Sequence, residues 1–524
     1  MHSASDEPGG MHTMQLFEVP DILERLRHND IPSDVEIHAI RDSITIAQSL
    51  IVALQSQAPT VETEALSKYV ALPTSLISPI RRLPVDILLT IFLNPIAHQR
   101  LRPGFARRSI ILNYRPNTLG AVCYHWRCLT LGTPKLWSSL MVCPNQPDQY
   151  TVDGVRVALQ RSQVASLHLK FRPALTGFVL DGEVMKEFLK HTERWGHVEL
   201  TINAALLRQL SPARHRLESL DTLTVIHSDI EEHFEHFPSD VFTDAPMLRT
   251  LHLSGNLPDS PSAVPILPWS QLAKLHIHVD WTGGALPSAG AYHYMLSQAT
   301  NLREYDVYLP YATKRGPHPV ISHHLKEMRV YGPSQWSTND EKIDVLIQNH
   351  STAPALEKLA LVYCKLISAL PSFLHRSFAQ LQTLEIDGAS GRAVDLISLS
   401  QMVPTVKQLV LRKLLPYAVT NLVIKSLTID IFSPDKVLLP MMTSFLLDGA
   451  YLFKADALMA MLESRLTPPD EFSQLAAVDI NLPITVVPAA RFKDFAIAAN
   501  RALKTFSFIC LNEARKPSQW IMLE

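Results

Sequence analysis

The sequence predicts an α/β chain in which helices come first and a long, irregular solenoid of parallel strands follows. Three observations carry this expectation. An apolar seam with alternating spacings of three and four runs through residues 37–54. Three short amphipathic pieces with large side chains occupy residues 79–141, and a Leu-x-x-Leu-x-Leu frame recurs from residue 164 onward. The expected divisions are a loose N-terminus over 1–32, a coiled-coil-like helix over 33–58, a connector over 59–78 and the three-helix unit over 79–141. A repeat region over 150–433, a C-terminal repeat and capping region over 434–512 and a tail over 513–524 complete the chain.

At 524 residues and 47% hydrophobic content, the chain can bury a large core and does not have a disordered composition. Its formal charge of −2 supplies no global attraction to nucleic acid or to an anionic membrane, and neither partner is expected. Cys123, Cys128, Cys143, Cys364 and Cys510 are too few and too scattered for a disulfide framework. Reduced thiols in the cytoplasm and/or nucleus are the economical expectation. No basic stretch followed by an apolar run opens the chain, and no segment offers about 20 apolar residues for a span. Val437–Phe453 comes nearest, but with Pro440, Asp448 and Gly449 inside it, it suits a buried helix better.

Ser33 and Glu36 have the spacing of a capping box, in which each residue satisfies a backbone N–H of the other. Ile37, Ile40, Ile44, Ala47, Ile51 and Leu54 follow as the seam, and Pro59 ends it. Two readings are open: weak self-association through 37–54, or a helix folded against the next domain. A seam this short is marginal alone, because helix nucleation is costly.

In the next unit Pro84 suits the first turn of a helix, where its missing N–H is not needed. Ile87, Leu88, Ile91 and Phe92 then give that helix a broad apolar face, with Asp86 near its positive end. After a break through Asn94, Pro95, Pro103 and Gly104, a second pattern carries Leu119, Val122, Cys123, Trp126 and Leu129. Gly132-Thr133-Pro134 stops it, and Trp137 anchors the third piece.

These residues resemble an F-box, in the form common in large families of mushroom-forming fungi. Leu76-Ile77-Ser78-Pro79-Ile80-Arg81-Arg82-Leu83-Pro84 is similar to that family's Leu-Ser-Pro-Ile-Arg-Arg-Leu-Pro lead-in. The valine-cysteine followed by tryptophan-arginine and the final leucine-tryptophan also fall in family order, and the match covers Pro79 to Leu140. Asp86 stands in place of the more usual glutamate, and His125 where many relatives carry arginine. The segment between the first two helices, with Arg100, Arg102, Arg107, Arg108 and Arg115, is long. The resemblance implies a binding surface for the Skp1 adaptor and, through it, a cullin-RING ubiquitin ligase. Leu83, Pro84, Ile87, Leu88 and Ile91 would form its first part; Val122, Cys123, Trp126 and Trp137 would complete or support it.

Downstream, the frame is clean at Leu248/Leu251/Leu253. With substitutions it recurs at Val164/Leu167/Leu169, Leu272/Leu275/Ile277, Leu302/Tyr305/Val307, Leu325/Met328/Val330 and Leu356/Leu359/Leu361. Later copies are Leu381/Leu384/Ile386, Val406/Leu409/Leu411 and Ile424/Leu427/Ile429, with weaker ones at Trp195, Leu475 and Leu503. The last two positions have strand period, so returning the chain to one face would stack parallel strands. This region resembles a degenerate leucine-rich-repeat domain; Asn256 and Cys364 stand where that family often bonds a buried turn. The fold expected is therefore α/β: a helical leader, a compact three-helix F-box, then an irregular leucine-rich-repeat-like solenoid. Alternation places His252, His276, His278, Asp306, Tyr308, Arg329, Tyr331, Glu385 and Arg412 on the face opposite the buried residues. Mixed charge there suits a protein client better than a nucleic-acid backbone.

No phosphate-cradling glycine loop and no His-Glu-x-x-His sequence is present. His233-Phe234-Glu235-His236, His323-His324 and the Cys123–His125–Cys128 cluster lack the spacing or further ligands of a zinc centre. No metal, no cofactor and no catalytic residue is expected. The function expected is a non-catalytic substrate-recognition subunit of a Skp1-cullin-F-box ligase. The alternative is a Skp1-bound or free interaction scaffold without a ubiquitylation client.

Overall fold

The computed structural model describes residues 19–55, 61–94, 114–142, 149–171, 182–202, 208–227, 240–255, 266–278, 289–308, 320–332, 350–364, 369–483, 503, 505–511 and 517–521. N-terminal helices are followed by a large parallel sheet whose strands lie side by side in chain order. The chain divides into two units, Met1–Leu169 and Lys170–Glu524.

The leader of the first unit folds as three helices: α1 (Val19–His28), α2 (Asp34–Gln55) and α3 (Val61–Leu76). Two of them were not expected. α1 lies where a loose terminus was predicted, and α3 replaces the predicted connector. Ile22, Ile40 and Leu76 form a buried cluster joined by Leu26, Ile44, Leu72 and Ile77, so each helix supplies apolar groups that need the others. Capping by Ser33 and Glu36 is present, with Ser33 N–H and Oγ donating to Glu36 Oε2 at 2.7 and 2.8 Å. Those bonds and Arg25 hold the Glu36 carboxyl down to about 2. Ile37, Ile40 and Ala47 of the seam are buried, and α2 packs on α3, so this seam is occupied within its own unit. By length and composition, Asp34–Leu54 is also apolar enough to cross a membrane, which the sequence reading did not find.

A 3-10 turn over Pro79–Arg82 leads into α4 (Val85–Leu93), α5 (Tyr114–Gly120), α6 (Tyr124–Leu131), α7 (Pro134–Trp137), β1 (Ser139–Val142) and α8 (Gln149–Arg161). Buried Arg81 fastens this turn to α1: its guanidinium donates to Leu26 O at 3.3 Å and to Asn29 Oδ1 at 3.0 Å. Asn29 takes the left-handed conformation that an asparagine tolerates. The expected boundary at 141/150 differs from the division at 169/170, because α8 packs on α7.

The division falls within β2 (Leu167–Phe171). Next come β3 (Trp195–Ile202), β4 (Thr222–His227), β5 (Thr250–Gly255), β6 (Lys274–His278), β7 (Glu304–Tyr308), β8 (Val320–Ile321), β9 (Glu327–Tyr331), β10 (His350–Thr352) and β11 (Lys358–Val362). β12 (Thr383–Asp387), β13 (Gln408–Arg412), β14 (Ser444–Asp448), β15 (Ala477–Pro483), β16 (Thr505–Leu511) and β17 (Pro517–Ile521) complete the strands. In the second unit the order is β3-β4-β5-β6-β7-β9-β11-β12-β13-β14-β15-β16-β17, and the small strands β8 and β10 pair with each other. Along this order each pairing from β3 to β16 is parallel and without a register shift, and β17 returns antiparallel on β16.

The recurring frame explains the register. Leu251/Leu253, Leu275/Ile277, Tyr305/Val307, Met328/Val330, Leu359/Leu361 and Leu384/Ile386 are buried as cross-strand neighbours on the inner face. Two strands follow the same frame unremarked in the sequence: Leu220/Leu223/Val225 in β4 and Met442/Phe445/Leu447 in β14. One frame fails. Ile424 and Leu427 lie in the helix Asn421–Leu427, where three-residue spacing serves a helix as well as a turn. Val437–Phe453, expected as a helix, holds β14, since Pro440 bars helical hydrogen bonding and Phe445 and Leu447 alternate. The expected tail contains β17.

Strand ends are joined by a second ladder. Tyr363, Gly388, Lys413 and Gly449, each directly after its strand, have positive φ of 53°, 61°, 48° and 145°. Their N–H groups donate to Asp387 O, Arg412 O, Asp448 O and Asn481 O at 2.7, 2.8, 2.7 and 3.0 Å. Buried Cys364 adds a thiol bond to Val330 O at 3.3 Å, and burial pushes that thiol up to about 12. The position of Asn256 lies outside the described residues. Arg465, fully buried on the helix Ala455–Leu466, donates to Leu427 O, Leu439 O and Leu438 O at 2.7, 3.0 and 2.7 Å. Burial holds its guanidinium down to about 10.

Candidate docking surfaces

The first surface is built on α4. Pro84 is its N-cap, one place earlier than expected, and Leu88 N–H donates to Pro84 O at 3.0 Å. Its fixed φ suits this extended cap as well as a first turn. Helical spacing then divides the apolar residues between two sides. Leu88 is 0% exposed and Phe92 4%, whereas Ile87 and Ile91 stand 43% and 42% exposed. Val85 and Ile80 are exposed beside them, and Leu83 is half-buried.

The other residues expected at this surface fall into two groups. Val122 is 60% exposed, with Tyr124 exposed after it. Cys123 caps α6, its Sγ accepting from Trp126 N–H at 3.5 Å. Trp126 is half-buried, edge-on to Phe92 with ring centroids 4.7 Å apart. Trp137 is 6% exposed, donates from Nε1 to Thr130 O at 2.8 Å, and carries the Arg161 guanidinium 4.5 Å above its ring. Leu88 and Trp137 are buried behind the exposed side of α4; for Leu88, expected in the surface itself, this is a change of place, and for Trp137 it is the supporting one of its two expected roles. Burial, with the charge of Arg81, lowers the pKa of His125. Sequence reading missed Ile80, Val85 and Tyr124, although the run Val85–Leu93 is too apolar for one buried side to absorb.

The second surface is the outer face of the sheet. Register aligns one row as Glu199, Thr224, His252, His276, Asp306, Arg329, Ala360, Glu385 and Val410. The row above it reads Tyr308, Tyr331, Val362, Asp387, Arg412, Asp448 and Asn481. All nine residues expected to contact a client lie on this face, with His278 beside His276 by alternation. For Tyr308 the strand position alone is described.

Eight of these side chains make one chain of contacts or flank it. His252 stacks on His276 at 4.2 Å with 6° between rings, and His276 Nδ1 meets Asp306 Oδ2 at 3.0 Å. Arg329 reaches Asp306 at 3.7 Å and, across the small Ala360, Glu385 at 3.9 Å. Glu385 accepts from Arg412 at 2.8 Å, and His278 lies 5.8 Å from Tyr331, which bonds Arg329. Burial and the neighbouring His276, His197 and His278 hold the His252 imidazole down to about 4. Burial alone would raise Asp306, yet the His276 bond and the charge of Arg329 hold it below the carboxylate range.

Among the described residues, no group of three or more His, Cys, Asp or Glu could hold a metal ion. His323 and His324 are exposed, and the 233–236 cluster lies outside the described residues. Compared with protein-family models and with curated proteins, the chain matches none. The functional reading rests on the two surfaces themselves.

Proposed function

We propose that this protein is an F-box subunit of a Skp1-cullin-F-box ubiquitin ligase, with a leucine-rich-repeat-like sheet that receives a protein client. The observation that carries the reading is the division of α4: behind a leucine-proline start, Ile87 and Ile91 face solvent while Leu88 and Phe92 fill the core. Exposed apolar side chains on a well-packed helix mark an interaction site, and a few such anchors can dominate an interface. The second support is the sheet face, a wide polar surface in which side chains from many strands meet in register. Ubiquitin transfer would be catalysed by the partners, and this chain would contribute proximity and orientation.

Mutual pairing of charges across the face also favours a second reading, a Skp1-bound scaffold without a ubiquitylation client. Titration of purified Skp1 into the full chain, beside Ile87→Asp/Ile91→Asp, tests what both readings share. A 1:1 complex lost in a double variant of unchanged circular dichroism is expected. A folded wild type that ignores Skp1 removes both.

A further inference from the structure

The outer face of the sheet changes character along the strand order. From β6 to β11 its charges are cross-paired, Lys274 with Glu304 at 2.6 Å and Lys358 with Glu327 at 3.5 Å. From β12 to β15 the outward positions carry Glu385, Asp387, Asp448 and Asp479 against Arg412. Glu385 already holds Arg412 at 2.8 Å. Two acceptors on the row Asp387–Arg412–Asp448–Asn481, namely Asp387 Oδ1 and Asn481 Oδ1, are buried without a hydrogen-bond donor. Burial raises the Asp387 carboxyl, Glu385 and Asp448 add to that rise, and Lys413 and Arg412 oppose it.

Where this row ends, an apolar rim begins. Tyr417, Leu422 and Leu452 are exposed on the segments after β13 and β14. These segments are fastened together: Leu452 N–H donates to Pro416 O at 3.0 Å, Thr420 and Leu452 form a parallel bridge, and Lys454 N–H donates to Asn421 Oδ1 at 2.8 Å. Tyr451 and Phe453 are buried on either side of Leu452, so alternation fixes Leu452 outward. An acceptor-rich row with surplus negative charge thus borders an ordered apolar edge.

We infer that the β12–β15 part of the face and its rim dock an extended client segment that presents a basic side chain next to an apolar one. This rests on the reading of the sheet face as the client surface. The basic group supplies counter-charge to the carboxylates of this row, while the apolar side chain covers Leu452 and Tyr417. Charge complementarity selects this occupant: a nucleic acid or an acidic peptide would add like charge to the row.

The test uses the full chain without Skp1 and three fluorescein-labelled decapeptides, read by anisotropy. One alternates Arg and Leu, one Glu and Leu, and one Arg and Ser. The Arg-Leu peptide is expected to bind roughly tenfold tighter than either other, the scale of one good anchor. Asp387→Asn/Asp448→Asn should remove the preference over Glu-Leu, and Leu452→Ser the preference over Arg-Ser, with melting temperatures unchanged. Glu304→Gln/Glu327→Gln, on the same face but outside the row, should leave both preferences intact. Equal binding of the three peptides, or equal losses in the two carboxylate pairs, overturns the inference, even where Skp1 binds. Preference with the expected variant pattern supports it whether or not Skp1 binds.

Discussion

The helical unit and the sheet unit solve opposite surface problems. On α4, apolar side chains serve two masters: Leu88 and Phe92 close the core while Ile87 and Ile91 stay in solvent. On the sheet, inner positions are apolar and most outer positions polar, with Ala360, Val362 and Val410 among the exceptions, and from β6 to β13 many outer charges pair from strand to strand. An exposed apolar helix gains binding energy from desolvation, which salt affects little. A cross-paired polar face offers selectivity, since a ligand must replace bonds already made.

The sharpest way to break this comparison is within α4 itself. Leu88→Ala should cost about 3 kcal/mol of stability in chemical denaturation, the usual scale for a buried leucine. Ile91→Ala should cost under about 1 kcal/mol while weakening Skp1 binding at least tenfold. Equal stability losses would mean that the two sides of the helix are not distinct.

On the sheet side, Arg465→Leu should cost about 2 kcal/mol, because three buried carbonyls lose their donor while the volume is largely kept. A loss confined to the melting of the whole chain, with no change in Skp1 affinity, would separate scaffold from docking surface. A smaller effect is expected between Glu385 and Arg412. A double-mutant cycle with Glu385→Gln and Arg412→Gln should give a coupling of about 1 kcal/mol that shrinks in high salt. No coupling would show that the ladder is a row of independent charges.

The last effect is set by pH. The folded chain holds His252 near 4 against an unfolded value of 6.5, so the unfolded state binds the extra proton. This stability is full above about 6.5 and is lost as the pH falls toward 4. His252→Gln should flatten the dependence of the urea midpoint on pH between those limits. An unchanged slope would remove His252 as the source.

Much of this arrangement was legible in the sequence because strand alternation is strict. Leu251/Leu253 and its counterparts fixed the inner face, and so placed His276, Asp306, Arg329 and Glu385 together outside. The capping pair Ser33–Glu36 was equally direct. Helix faces were harder. Leu88 and Ile87 are neighbours of similar chemistry, and which one is covered depends on what α4 packs against. α3 was hidden because Leu72 and Leu76 pack in a cluster shared by α2 and α1, and α1 was itself unforeseen. The leader's apolar seam showed what would be buried but not where its cover would come from. Ile424 and Leu427 illustrate the reverse error, since three-residue spacing fits two kinds of element.

The proposal puts the adaptor on α4 and the client on the sheet, as separate surfaces. Hydrogen exchange of the full chain with and without saturating Skp1 tests this most directly. Slowed exchange in Val85–Leu93 and Tyr124–Leu131, with β6 to β13 unchanged, is the expected result. Protection spread over the sheet strands, or none on the two helices, would contradict it.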